Sequence, residues 1–178
     1  MVYLQRKEFL DEDLKKRSDG LLKSNPLGKV PTLILDSEEI ISNSSLISDY
    51  LNDLKSEPFL WPKDKKTKHK LQNLDLMGKG LADVTVTMFH EKLLHPDNFH
   101  EGFLKRQEET VNRTLKFWDI HIKDLKDFSM ASISIVCAIG YTEFRLKHLW
   151  PNKELKNLLA WYKDVTKRPS VIKTAPVE

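Results

Sequence analysis

The chain has a single cysteine, Cys137, so no disulfide can form within it. A lone thiol fits a reducing compartment. No apolar run approaches 18 residues, which excludes a membrane-spanning helix from the reading. The first residues, Met1-Val2-Tyr3-Leu4-Gln5-Arg6-Lys7, lack the apolar core of a signal peptide. Phosphate-binding glycine loops, nucleophile elbows and Cys-x-x-Cys pairs are missing, and with them several enzyme classes. An excess of either charge is missing too. Lys and Arg number 29 against 26 Asp and Glu, for a net +3, which gives no reason to expect nucleic acid as a partner. These absences predict a soluble cytoplasmic protein with neither a membrane nor a nucleic acid as partner. Its 178 residues suit one unit or two small, tightly packed ones. A chain of that size buries roughly 70% of its unfolded surface without needing disulfides.

What is present divides into an α/β start and a helical remainder. Residues 2–5 form a short candidate strand. Residues 11–23 are charged, with Leu14, Leu21 and Leu22 on a candidate helix whose end Gly20 blurs. Thr32-Leu33-Ile34-Leu35 reads as a strand. Asp36 to Glu39 reads as a turn, and Ile40-Ile41 begins the returning strand of a hairpin. Leu46, Ile47, Tyr50 and Leu51 then fall at helical spacing behind Asn43 or Ser44 as N-cap. Pro58-Phe59-Leu60-Trp61-Pro62 breaks the pattern. The lysine-rich stretch from Lys63 to Lys70 reads as solvated linker and first helical turn.

Residues 66–90 are helical in pattern, with Leu71, Leu74, Leu81 and Val84 apolar. Gly78 and Gly80 each weaken that helix by about 1 kcal/mol, and they suggest a close backbone approach, for instance by a second subunit. Leu104, Val111, Leu115, Trp118 and Ile122 line one face of the next helix. Ser129 is placed to cap a third helix by accepting from the N–H of Ser132. Phe128 and Ile133 would form a hydrophobic staple around that cap. Residues 130–145 are apolar nearly all round, which predicts a central buried helix. A last helix over residues 154–167 should stop before Arg168-Pro169, because proline cannot continue it.

Four segments carry a family resemblance. The first is Asn25-Pro26-Leu27-Gly28-Lys29-Val30-Pro31-Thr32-Leu33. The second is Asn43-Ser44-Ser45-Leu46-Ile47-Ser48-Asp49-Tyr50-Leu51. The third runs from Phe128 to Gly140-Tyr141-Thr142-Glu143-Phe144-Arg145. The fourth joins Trp161-Tyr162 to Arg168-Pro169-Ser170. In this order and spacing the chain resembles glutathione S-transferases, the small bacterial members in particular. The resemblance implies an α+β fold: a partial thioredoxin-like α/β domain over residues 1–55, a linker over 56–65, and an all-α domain over 66–178.

It also implies a site. A Val-Pro pair entering a strand is a candidate cis bond, since the cis form costs only about 0.5–1 kcal/mol before proline. By the match, Val30 supplies backbone contacts to the cysteinyl part of glutathione, and Pro31 sets their geometry. Ser44 sits where the family's serine meets the γ-glutamyl carboxylate at a helix N-terminus, where free N–H groups and the helix dipole favour an anion. Asn43 stands where glutamate or glutamine is usual. Asparagine offers no charge to the ligand's ammonium group, so weaker glutathione binding is expected. Lys29 stands where some members contact the glycyl carboxylate. Ser132 replaces the aspartate usual in the cap of the buried helix, at a cost of about 0.3–1 kcal/mol. The implied partners are glutathione as substrate, a small hydrophobic electrophile and a second copy of the chain in a homodimer, with no metal.

The catalytic group is expected to be missing. The family carries a Tyr, Ser or Cys near its first strand and first helix, and only residues 1–24 precede the first motif here. Making a thiol of pKa near 8.5 mostly thiolate at neutral pH takes roughly 2 units, or about 2.7 kcal/mol. Tyr3 reads as structural and Cys137 as core, so no catalytic residue is assigned. A start further upstream, a strand over residues 2–5 in the vacant place, or a second subunit would each complete the sheet. His90, His95 and His100 do not share a helix face and are not read as a metal site. Trp61, Trp118, Trp150 and Trp161 read as core or interface anchors. The functional expectation is a glutathione transferase. The alternative is a non-catalytic binding or scaffold protein of the same lineage.

Overall fold

The computed structural model describes residues 10–13, 16–54, 60–125 and 127–177. The chain divides into two compact units, Met1–Leu60 and Trp61–Glu178. The first is a small α/β unit and the second is all-helical, which is the α+β class expected from sequence.

In the first unit, α1 spans Asp19–Ser24. Of the helix expected over residues 11–23, the described residues form this short one alone, and the reason is local. Ser18 accepts from the N–H of Leu21 at 3.1 Å, and its own hydroxyl donates to the carboxylate of Glu12. A serine holding the first free N–H fixes where the helix starts. Gly20 lies inside α1 rather than at its end, and Leu21 is buried while Leu22 is exposed. The hairpin is β1, Thr32–Ile34, and β2, Ile40–Ser42. They run antiparallel with Thr32 opposite Ser42, Leu33 opposite Ile41 and Ile34 opposite Ile40. Glu38 turns the chain at φ +66°, and its N–H donates to the carbonyl of Leu35 at 2.9 Å. Helix α2 spans Ser44–Asp53 with Asn43 as its cap. The strand expected over residues 2–5 lies outside the described residues.

The second unit begins with α3, Lys65–Leu94, capped by Asp64, whose carboxylate accepts from both the N–H and the hydroxyl of Thr67. Those two bonds hold the Asp64 carboxyl below the usual carboxylate range. Helix α4, Glu101–His121, runs into a 3-10 turn at Ile122–Asp124. Leu104, Val111, Leu115, Trp118 and Ile122 are all buried, as their spacing predicted. Helix α5, Met130–Arg145, starts in a capping box. Ser129 accepts from the Ser132 N–H at 3.4 Å, and Ser132 accepts from the Ser129 N–H at 3.2 Å. Two serines thus satisfy two free donors without a carboxylate.

Helices α3 and α5 form the closest packed pair in the unit. A Cβ on Gly78 would lie 2.8 Å from the backbone carbonyl carbon of Ser134, so only glycine admits this approach. The expectation of a second subunit at this glycine is corrected: α5 of the same chain occupies the space. Gly80 faces nothing within 4 Å. Leu81 and Met88 of α3, Ile135 and Ile139 of α5, and the α4 stripe meet in one core. Helix α6 spans Lys156–Val165 and adds Leu158 to that core. Pro169 does not merely end a helix. It is the first residue of α7, Pro169–Lys173, a position where a missing N–H costs nothing. Among the described residues, no helix is long and apolar enough to cross a membrane.

Candidate functional site

The candidate site in the first unit is built from one buried asparagine outward. Asn25 is 4% exposed and closes α1 by donating its N–H to the carbonyl of Leu21 at 2.7 Å. Its carbonyl accepts from Gly28 at 2.7 Å, and its Oδ1 accepts from the N–H of Leu27 at 3.1 Å. Its Nδ2 donates to the carbonyl of Lys29 at 2.9 Å and to Thr32 Oγ1 at 3.2 Å. Thr32 Oγ1 in turn donates to the same Lys29 carbonyl at 3.0 Å. Asn25 thereby ties the end of α1, the turn and the start of β1 together. Gly28 sits at φ +59°, where a Cβ would also press on Arg17 Cδ at 2.8 Å.

This clasp presents the Val30–Pro31 peptide, which is cis. Val30 is half exposed, and Lys29 is exposed. The carbonyl of Pro31 accepts from the N–H of Asn43 at 3.4 Å. That bond brings the proline turn beside the start of α2. Asn43 takes φ +83° and ψ 132°, a positive-φ conformation outside the left-handed helical well, and its Oδ1 accepts from the N–H of Ser45 at 2.8 Å. Asn43 is therefore the cap, and Ser44 is the first helical residue. Ser44 is exposed, and its hydroxyl has no hydrogen-bond partner among the described residues.

Lys29, Val30, Pro31, Asn43 and Ser44 thus lie on one surface of the first unit. Sequence reasoning assigned no part to Asn25 and Thr32, which position the others. The signal was an asparagine three positions after the Leu21-Leu22 pair and directly before Pro26, at the point where a helix had to end. Tyr3 lies outside the described residues.

In the second unit, Cys137 requires a correction. It was expected in the core, but its place on α5 is exposed, at a groove. Flanking apolar groups push its thiol up from the ordinary range, so it is a poor thiolate at neutral pH. Across the groove, Tyr162 donates to Glu143 Oε2 at 2.8 Å. Burial, and then that bond, hold the phenol protonated well above its usual range. Trp118 and Trp150 are fully buried in the core, while Trp161 is half-buried against it. His100 caps α4 by accepting from the N–H of Phe103 at 3.1 Å, and Glu91 receives the N–H of His100 at 2.9 Å. His95 faces the other oxygen of Glu91 at 3.2 Å.

Known proteins share this fold. Residues 7–59 match the family model described as glutathione S-transferase, N-terminal domain. The uncharacterized GST-like protein YibF of Escherichia coli (strain K12) is 30% identical over 142 residues, covering 78% of this chain and 70% of its own. The crystal structure of a glutathione transferase family member from Pseudomonas fluorescens Pf-5 with bound glutathione superposes with a TM-score of 0.88. It is 30% identical, and the match covers 95% of this chain and 84% of that one. A glutathione S-transferase from Methylobacillus flagellatus, solved with glutathione bound, gives a TM-score of 0.82 at 30% identity, covering 88% and 80%. A chain with this hairpin and helical unit, matched at that identity over most of both lengths, belongs to the glutathione S-transferase family.

Proposed function

We propose that this chain binds glutathione on the surface formed by Lys29, Val30, Pro31, Asn43 and Ser44. The observation that carries the reading is the bond from Asn43 N–H to the Pro31 carbonyl. It sets a backbone edge, at Val30, beside an open helix N-terminus, at Ser44. A peptide-like ligand can pair with the first and place a carboxylate on the second, where the N–H groups and helix dipole favour negative charge. Lys29 adds a cation on the same surface. The glutathione bound in the Pseudomonas and Methylobacillus structures supports the same ligand. Asn43 brings no charge, and its side-chain oxygen is committed to Ser45. The affinity is therefore expected below that of a relative with an acid there.

Conjugation of the glutathione thiol to a small apolar electrophile is the enzymatic extension of this reading, with a homodimer in the cytoplasm as its setting. Calorimetric titration with glutathione tests the binding. Saturable heat that weakens about tenfold in Ser44→Ala supports it, and no heat with the folded chain rejects it. A chlorodinitrobenzene assay on the same sample separates the two outcomes that follow. Turnover makes the chain a transferase. Saturable binding without turnover makes it a glutathione-binding protein, a reading favoured by Cys137, which is held as a neutral thiol.

A further inference from the structure

The start of α2 offers a ligand many donors and little that accepts. Both oxygens of Asn43 are engaged by the helix itself. Its Oδ1 accepts from Ser45 N–H at 2.8 Å, and its carbonyl accepts from Ile47 N–H at 3.1 Å. The N–H groups of Ser44 and Leu46 have no acceptor among the described residues, and Asn43 Nδ2 has none either. Lys29 adds a cation to the same surface. The first turn of α2 holds no acid, and the first acid on the helix, Asp49, lies more than a turn beyond Ser44. The Ser44 hydroxyl is the one open side-chain acceptor there, and it is neutral.

Glutathione brings both signs of charge to such a corner. Its γ-glutamyl end carries a carboxylate and an ammonium group on one carbon. The carboxylate meets free N–H groups at the positive end of a helix, where charge-assisted bonds form. The ammonium group meets the same positive end and no carboxylate, so it loses water without gaining a charged partner. We propose that this surface recognises the carboxylate and not the ammonium group. Its preferred ligands are then acyl-cysteinylglycine thiols that end in a carboxylate and whose amine is absent or acylated. Asn43 is the specificity-determining residue. The inference rests on the glutathione-binding reading of the same surface and names the class of ligand within it.

The test titrates the full chain calorimetrically at neutral pH with glutathione and two analogues of the same length. Glutaryl-cysteinylglycine lacks only the amine, and γ-aminobutyryl-cysteinylglycine lacks only the carboxylate of that end. The glutaryl compound should bind at least as tightly as glutathione. The aminobutyryl compound should bind about tenfold more weakly or worse, the loss of a hydrogen bond to a charged group. Asn43→Asp keeps the cap acceptor and adds a carboxylate, so it should reverse the order and make glutathione several-fold tighter than the glutaryl compound. The comparison in the unmodified chain needs no variant to fold. There, glutathione binding about tenfold tighter than the glutaryl compound would mean that the ammonium group has a partner, and would overturn the proposal. Equal affinity for all three would overturn it too, because the start of α2 would then take no part. Either result leaves glutathione binding standing. An order unchanged in folded Asn43→Asp would remove Asn43 from its role. No heat from any of the three would reject the glutathione reading and this inference with it.

Discussion

Across the α3–α5 contact, Thr85 and Thr142 share a hydrogen bond of 3.0 Å, and both residues are fully buried. The direction of that bond follows from a second one. Thr142 donates its only hydroxyl proton to the carbonyl of Ala138 at 2.9 Å, so Thr85 must be the donor to Thr142. The pair is therefore not symmetric. Thr142→Val removes the acceptor and leaves a buried hydroxyl proton on Thr85, at a cost of about 1–3 kcal/mol. Thr85→Val removes only a donor to an oxygen that keeps its own bond, and should cost about 1 kcal/mol or less. The double variant should recover most of the Thr142→Val loss. Urea denaturation of the three proteins measures this, and equal losses in both single variants would refute the assigned direction.

Two glycines two residues apart, on different sides of α3, should respond oppositely to alanine. Gly78→Ala pushes a methyl into the Ser134 backbone and should destabilise by about 1–3 kcal/mol. Gly80→Ala meets open space and should stabilise by about 0.5–1 kcal/mol through helix propensity. Thermal melts of the two variants decide it.

Ser129→Ala removes the cap oxygen of α5 and should cost about 1 kcal/mol. For a chain of this length that is a fall in Tm of about 2–4 °C. Ser129→Asp restores an acceptor at the positive helix end and should regain the loss.

The raised Cys137 thiol gives a pH signature. The apolar groups around the exposed edge of the sulfur desolvate it and favour the neutral form in the folded state. The contribution to stability is therefore fully present below the thiol's unfolded pKa, and it is lost as pH rises through the folded value. Alkylation of the folded protein should be slower than that of free cysteine at pH 8 and should climb with pH beyond 9, the thiol's unshifted value. A rate equal to that of free cysteine at pH 8 would contradict the apolar surroundings of the sulfur.

Much of this was legible because some signals are local. The Ser129–Ser132 box needs only a spacing of three, and the hairpin from Thr32 to Ser42 needs only a turn between two apolar runs. The α4 stripe is periodic over 18 positions and left little room for error. What escaped depended on particular contacts, some from far along the chain and some local, that hydrophobic periodicity does not encode. Gly78 signalled a close neighbour, but nothing local says that the neighbour is Ser134. Cys137 sits among apolar residues in sequence, yet on α5 it lines a groove instead of the core. The short α1 followed from a bond between Ser18 and Glu12 that periodicity does not encode. At the candidate site, the Val-Pro pair pointed to the cis bond that the structure contains. The supporting role of Asn25 was hidden, because its partners are backbone atoms, which leave no trace in residue type.

The placement of the tryptophans governs what a spectroscopist will see. All four, Trp61, Trp118, Trp150 and Trp161, fall in Trp61–Glu178, and none in Met1–Leu60. Tryptophan emission therefore comes from the helical unit alone. A melt followed by emission wavelength will be silent if the hairpin and Asn25 clasp come apart first. Backbone circular dichroism or amide exchange on residues 25–47 is the probe that would see it.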